Sequence, residues 1–256
     1  MLLTIDVGNT NTVLGIHDGA ALKMHWRLTT RREQTTDEYG ILVSNLFSGS
    51  GLGPKDLEGV AIASVVPPLT PVIVALSRRF LGRDPLVVEP GVKTGMPILY
   101  EPPGDVGADR IVNGVAAFAA FGGPVIVVDF GTATTFDVVT KKGEYIGGVI
   151  CPGVGISADA LFQRAARLPR VDVRNPGRVI GRSTVGSIQA GLYFGYVEMV
   201  KGIVERIRAE LQEPARVVAT GGLAETLAGD IPVIEVVDPV LTLTGLRLIW
   251  ERNRKA

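Results

Sequence analysis

A seven-residue turn pattern that occurs twice constrains this chain more than any other feature. Asp6-Val7-Gly8-Asn9-Thr10-Asn11-Thr12 follows the apolar run Met1–Ile5, and Asp129-Phe130-Gly131-Thr132-Ala133-Thr134-Thr135 follows Pro124–Val128. Both fit Asp-x-Gly-[Asn/Thr]-x-x-Thr, so Asp6, Gly8 and Thr12 match Asp129, Gly131 and Thr135. The first copy leads through Val13–Ile16 to the tight-turn pair Asp18-Gly19; the second leads through Phe136–Val139 to Lys142-Gly143, and Tyr145–Ile150 closes a meander. The second copy starts near the middle of the 256 residues. A repeat at half the length with the same flanks predicts duplication of one supersecondary unit. The alternative is chance recurrence in a chain holding 32 glycines.

Helical patterns fall between and after the two copies. Thr35-x-x-Glu38 opens one as a capping box, with Ile41, Leu42 and Leu46 as an apolar face. Asp109–Phe121 carries Ile111, Val115 and Phe118 at helical spacing. Ser183–Leu211 is a long helix that stops before Pro214, and Asp238-Pro239 starts a last helix running through Trp250. Arg216–Thr220 and Val233–Val237 read as buried strands. Short strands alternating with helices predict an α/β class. The division between halves is expected at Gly122-Gly123-Pro124, giving an N-terminal lobe of residues 1–121 and a C-terminal lobe of 122–256.

Composition narrows the function classes. Lys+Arg and Asp+Glu are 26 each, so no basic excess points to nucleic acid. One cysteine, Cys151, forms no internal disulfide and suits a reducing, cytoplasmic setting; with two histidines it makes a His/Cys zinc site a poor expectation. Asp6 breaks the first apolar run and Gly122-Gly123-Pro124 breaks the longest one, so neither an export signal nor a membrane span is expected. His17 and His25 are expected to flank a surface hairpin, without a role. Cys151 before Pro152 reads as a small apolar filler.

Each Asp-x-Gly turn has the makings of an anion site. Glycine lets backbone N–H groups approach closely, and Asn9, Thr10, Thr12, Thr132, Thr134 and Thr135 add neutral donors. An Asp at a strand end can hold a hard cation such as Mg²⁺. The bland alternative for each is a hairpin with Asx-type hydrogen bonds. Thr220-Gly221-Gly222-Leu223 lets a flat ligand, adenine or ribose, lie close to the backbone, or is a plain strand-to-helix turn. Gly107-Ala108-Asp109-Arg110 opens an apolar helix. Asp109 there either complements the helix dipole or accepts a proton from a substrate hydroxyl, with Arg110 clasping a carboxylate. Tyr100-Glu101-Pro102-Pro103 is a stiff loop able to wall a pocket, and Gly181-Arg182-Ser183-Thr184 caps the long helix. No Gly-Lys pair occurs, which excludes a P-loop. Gly153-Val154-Gly155-Ile156-Ser157-Ala158 fits a dinucleotide fingerprint, but it follows an antiparallel meander, and Cys151-Pro152 is expected to break the tight passage into a helix.

These segments together resemble the type III pantothenate kinases over nearly the whole chain. The matching stretches are DVGNTNT at Asp6–Thr12, GADR at Gly107–Arg110, DFGTATTFD at Asp129–Asp137, GGVICPG at Gly147–Gly153, GRST at Gly181–Thr184, TGG at Thr220–Gly222 and GLRLIWE at Gly245–Glu251. The resemblance implies a duplicated actin-like, ribonuclease H-like α/β fold: two lobes with mixed sheets flanked by helices and an active site in the cleft between them. It implies ATP-dependent phosphorylation of pantothenate, the first committed step of coenzyme A synthesis. Carried over, Asp6, Val7, Gly8, Asn9, Thr10, Asn11, Thr12 and Val13 bind ATP phosphates, with Asp6 also near magnesium. Thr132, Gly221 and Gly222 face the nucleotide. Asp109 is the proton acceptor, and Tyr100, Gly107, Ala108, Arg110 and Thr184 contact pantothenate. Asp129 holds a monovalent cation, K⁺ or NH₄⁺. A homodimer is implied, in which Thr184 reaches the partner's substrate site; Leu192, Tyr193, Phe194, Tyr196, Met199 and Val200 on the long helix permit one. Other readings are a non-catalytic nucleotide-binding regulator on the same scaffold, or a kinase or phosphatase for another substrate.

Overall fold

The computed structural model describes residues 1–254. Three strands open the chain: β1 (Leu2–Val7), β2 (Asn11–Asp18) and β3 (Ala21–Thr29), an antiparallel meander whose second turn uses Gly19 at φ 56°. α1 (Thr36–Gly49) follows. Its predicted capping box is present: the Glu38 amide donates to Thr35 Oγ1, and the Glu38 carboxylate takes the Thr35 amide at 2.7 Å. β4 (Gly59–Ser64) returns parallel to β1; α2 (Thr70–Leu81) and the two-residue β5 (Leu86–Val87) complete a sheet ordered β3-β2-β1-β4-β5. Alternation along β1 sends Leu3, Ile5 and Val7 to the face covered by α1 and α2, where they meet Tyr39, Val43, Phe47, Ile73 and Leu76.

α3 (Ala108–Phe121) leads to the second copy: β6 (Val125–Phe130), β7 (Ala133–Val139) and β8 (Tyr145–Pro152). Then come α4 (Val154–Arg164), the 28-residue α5 (Thr184–Leu211), β9 (Arg216–Thr220), α6 (Ala224–Leu227), β10 (Val236–Val237) and α7 (Leu241–Arg254). β9 runs parallel to β6 and β10 parallel to β9, so the order β8-β7-β6-β9-β10 repeats that of the first sheet. β1 and β6 also share one burial pattern, sealed along the strand and half-open at the aspartate. Duplication of a supersecondary unit is therefore visible in topology and in burial.

Contacts group Met1–Ala116 with the last helix from Leu241 into one unit, and Ala117–Val240 into the other. The expected division at 121/122 left α7 with the second half, whereas α7 packs on β1, β4 and β2. The apolar face of α5 also departs from expectation. Leu192, Tyr193, Tyr196 and Val200 lie in the core of the second unit with Phe194 and Met199 packed on it, so these residues are spent on folding. The strand expected at Val233–Val237 shrinks to two residues, because Ile234 turns back to the Ile231 carbonyl at 3.0 Å. Asp238 and Pro239 are not the N-cap and first residue of the last helix: Asp238 accepts the Val240 amide at 2.9 Å in a turn, its own amide is held by Ala219 at 2.8 Å, and α7 begins at Leu241.

His17 is not on a surface hairpin: it is 1 % exposed, beneath α7, with Nε2 3.2 Å from Thr4 Oγ1; His25 is exposed. Burial, and then the nearby Arg247 guanidinium, lowers the His17 pKa from 6.5 to about 4. The folded state thus resists protonation more than the unfolded chain does. The contribution of His17 to stability is fully present above pH 6.5 and is lost as pH drops toward 4. Thermal melts between pH 7 and 4.5 should show a midpoint that declines more steeply for the wild type than for His17→Gln; parallel curves would exclude this group as the cause.

Candidate functional site

The first turn sits where β1 ends. Val7 pairs with Thr12, leaving Gly8, Asn9, Thr10 and Asn11 as the connection, closed by a 3.0 Å bond from the Gly8 amide to the Asn11 carbonyl. Two residues after β3 hold it from behind. The Thr30 hydroxyl donates to the Gly8 carbonyl at 2.7 Å and its amide donates to the Thr10 carbonyl at 3.0 Å, while Arg32 reaches Asn9 Oδ1 at 3.0 Å. A trans peptide points its C=O and N–H in opposite directions, so fixing the Gly8 carbonyl on Thr30 turns the Asn9 N–H away from Thr30. Asp6 is half-buried and faces the same side of the sheet as Thr4. Thr12 does not add the outward donor expected of it: it is 1 % exposed, and its hydroxyl shares a 2.9 Å bond with Thr30.

Asp109 enters from the helix start. It lies in the first turn of α3, and its Oδ1 accepts the Arg110 amide at 2.8 Å. A Cβ on Gly107 would stand 2.7 Å from that oxygen and 3.4 Å from Val65 Cγ1, so glycine leaves room for the carboxylate to fold back over the corner as it does. Val65 in turn donates its amide to the Val7 carbonyl at 3.0 Å. One residue thus joins the end of β1 to the Gly107–Arg110 corner, bringing the Asp6 turn and Asp109 to the same C-terminal edge of the parallel strands, where open α/β sheets bind ligands. Arg110 is 8 % exposed, Ala108 and Tyr100 are half-buried, and the segment Pro102–Asp105 makes one tight turn before the corner.

The second turn is one residue shorter. Phe130 pairs with Thr134, leaving Gly131, Thr132 and Ala133, and the Gly131 amide bonds the Ala133 carbonyl at 3.0 Å. The sequence match equated Thr12 with Thr135, whereas by register the counterpart of Thr12 is Thr134, which is also fully buried and so is no outward donor. Thr135 instead pairs with Asp129, at the place where Val13 pairs with Asp6. Gly221, at φ 94°, lies against Asp129: a Cβ there would touch Asp129 Oδ1 and stand 2.6 Å from the Phe130 nitrogen. Gly222 beside it is exposed. Gly153, singled out as part of a dinucleotide fingerprint, serves this turn instead. It donates to the Thr132 carbonyl at 3.1 Å, and a Cβ on it would stand 2.6 Å from the Gly131 carbonyl oxygen. Cys151-Pro152 does not break the passage into a helix, since β8 runs through Pro152 and α4 begins at Val154.

Thr184 is exposed at the first residue of α5, behind the Ser183 cap that accepts the Gly186 amide at 3.1 Å. A cavity of about 570 Å³ opens beside it, lined among others by Arg174, Arg178, Arg182, Ser183 and Gln189. Burial pushes the Cys151 thiol up, the opposite of an activated nucleophile. No helix among the described residues is long and apolar enough to cross a membrane.

The donor set fits oxygen-seeking cations. Among the described residues no three His, Cys, Asp or Glu side chains gather into a metal cage. Mg²⁺ is ordinarily held by one or two carboxylates together with substrate phosphates and water, and Asp6 is a carboxylate that could serve it. At Asp129 the side of Oδ1 is bare of side chains at Gly221 and Gly131, a cradle that a Cβ at 221 would fill, and Thr135 lies opposite; carboxylate plus neutral oxygens is the chemistry of a K⁺ site.

The family model for type III pantothenate kinase matches residues 2–206. The type III pantothenate kinase of Moorella thermoacetica is 56 % identical over 253 residues, covering 99 % of this chain and 100 % of the relative. Solved structures share the fold at low identity. Component A of the (R)-2-hydroxyglutaryl-CoA dehydratase from Acidaminococcus fermentans has TM-score 0.55 and 13 % identity, covering 97 % of this chain and 95 % of that one. The inorganic polyphosphate/ATP-glucomannokinase from Arthrobacter sp. strain KM has TM-score 0.51 and 15 % identity, covering 100 % and 99 %. The fold is thus the actin-like α/β architecture of two mixed sheets flanked by helices.

Sequence reasoning passed over Thr30, Arg32 and Val65, which act on the turn from 22, 23 and 58 positions away (30, 32 and 65 against 8, 9 and 7). Replacing Thr30 by Val should weaken nucleoside triphosphate binding roughly two- to tenfold, the worth of one oriented hydrogen bond, while Thr30→Ser keeps it. Nucleotide titration by calorimetry decides, and equal affinities for the Val and Ser variants would remove Thr30 from the turn's function.

Proposed function

The chain belongs to the type III pantothenate kinase family, and on that premise we propose how its residues divide the work. The enzyme transfers the γ-phosphoryl group of ATP to pantothenate in coenzyme A biosynthesis. Within Asp6–Val13 the turn Gly8–Asn11 holds the ATP phosphates, the buried Thr12 hydroxyl being spent on Thr30, with Asp6 toward magnesium; Thr132, Gly221 and Gly222 serve the nucleotide. Asp109 accepts the proton of the attacking hydroxyl, and Tyr100, Gly107, Ala108 and Arg110 position pantothenate. Asp129 holds a monovalent cation, K⁺ or NH₄⁺. The observation that carries the Asp109 assignment is Val65, which links the first turn to the Gly107–Arg110 corner.

Phosphoryl transfer through a loose transition state depends on positioning and on neutralising charge, and the nucleophile's proton leaves late, so a carboxylate suffices as base. Neither Asp6–Val13 nor Asp129–Thr135 contains a lysine, so that neutralisation falls to oriented amides and to cations, which supply positive charge when bound. Thr184 acts in the substrate site of a homodimer partner. Support comes from its exposure, from exposed Val179, Ile180 and Val185 around it, and from the three arginines of the adjacent cavity, which suit a carboxylate substrate. The setting is the cytoplasm, in keeping with one unpaired cysteine.

Asp109→Asn should lower kcat by roughly 10²–10⁴, the usual contribution of a general base, with little change in KM for ATP. Turnover within a few-fold of wild type would take Asp109 out of the proton transfer. Asp129→Ala should abolish activation by potassium, read as rate against KCl at constant ionic strength in choline chloride. An unchanged potassium response would refute the cation assignment.

A further inference from the structure

The two sheets share topology and register, yet the face that carries the aspartates differs between them. Opposite Asp6 stands Val13, and two residues on, opposite Thr4, stands Gly15. Opposite Asp129 stands Thr135, and opposite Val127 stands Asp137. The second sheet thus carries polar groups where the first has none. Asp137 is 0 % exposed; it accepts the Thr135 hydroxyl on Oδ2 at 3.0 Å and the Tyr145 hydroxyl on Oδ1 at 2.8 Å, and Tyr145 is itself fully buried. Burying a carboxylate costs several kcal/mol unless it is well bonded, so a buried acid at this point of a duplicated sheet calls for a function.

That function follows from counting protons. A threonine hydroxyl has one hydrogen and two lone pairs. Thr135 gives its hydrogen to Asp137, which leaves its oxygen an acceptor only. Directly cross-strand residues place their side chains on one face, with Cβ atoms about 5 Å apart, so this oxygen stands beside the Asp129 carboxylate. We propose that Thr135 Oγ1 is a neutral oxygen ligand of the monovalent cation at Asp129, and that Asp137 is a positioning residue that fixes the hydroxyl in its accepting orientation. The inference rests on the cation reading of Asp129 and extends it. An acceptor-only oxygen serves K⁺ as a ligand and NH₄⁺ as a hydrogen-bond partner, so both ions are admitted. Val13 at the matching place in the first sheet offers no such oxygen, which separates the two aspartates chemically.

The test reads cation binding directly. The purified full chain, with magnesium and a non-hydrolysable ATP analogue, is titrated with KCl at constant ionic strength, following the melting temperature, and with Tl⁺ by thallium-205 NMR. Wild type and Thr135→Ser should show a saturable response with similar half-saturation. Thr135→Val should raise the half-saturating concentration about tenfold or more, the loss of one well-made polar contact. Asp137→Asn should raise it as well, because a carboxamide N–H can donate to Thr135 and consume the lone pair. A response lost in Asp129→Asn but intact in Thr135→Val overturns this proposal alone. No response in the wild type overturns the Asp129 assignment and this proposal with it. Should Thr135→Val fail to fold by circular dichroism, Thr135→Ala decides on the same readout.

Discussion

In each sheet the central strand has an antiparallel neighbour on one side and a parallel one on the other. That pairing leaves its C-terminal end open: a tight turn leaves toward the meander, while the parallel neighbour ends level with it and hands the chain to a helix or a glycine-rich bend. Asp6 and Asp129 occupy this end in β1 and β6. Everything placed near them follows from it. Val65 comes off β4 beside Val7, and Gly221 comes off β9 beside Asp129. A strand end that presents one carboxylate beside a tight glycine turn has the chemistry proposed above for phosphate and cation, with no lysine in either turn.

Much of this was legible because it is local. The Asp-x-Gly turns, the Thr35/Glu38 box and the α3 start are all set within seven residues of chain, where periodicity and turn chemistry decide. What the sequence concealed is set at a distance. Thr30 looks like the end of a strand, and only the hairpin's return brings its hydroxyl to Gly8. The equivalence of Thr12 and Thr135 failed because spacing counts residues while register counts hydrogen bonds, and the second turn saves one residue. His17 alternates correctly for a hairpin, but α7, arriving from the far end of the chain, covers it. Gly153 carried a motif that matched a different fold, although its bare α-carbon serves the Thr132 carbonyl.

The comparison of the two copies shows how duplication separates roles. Topology, strand order and the burial of β1 and β6 are held in common. Beside the aspartates the copies differ in Val13 against Thr135, Gly15 against Asp137, and a four-residue against a three-residue turn, and further along the same face the first has the Thr4–His17 pair where the second has Val127 and Val139. Such changes leave the core untouched, since Phe130, Phe136 and Val128 still pack on the opposite face. Two copies of one corner can thus acquire different polar surroundings at little cost to folding.

The return of α7 to the first unit has a consequence for biosynthesis. The sheet face that holds Leu2, Thr4 and His17 receives its cover only when Leu241–Arg254 leave the ribosome, long after β1 to β5 have emerged. The second unit, an unbroken stretch of chain, is delivered whole before that moment. During translation the earlier-made sheet therefore gains this helix only after the whole of the second unit has been made.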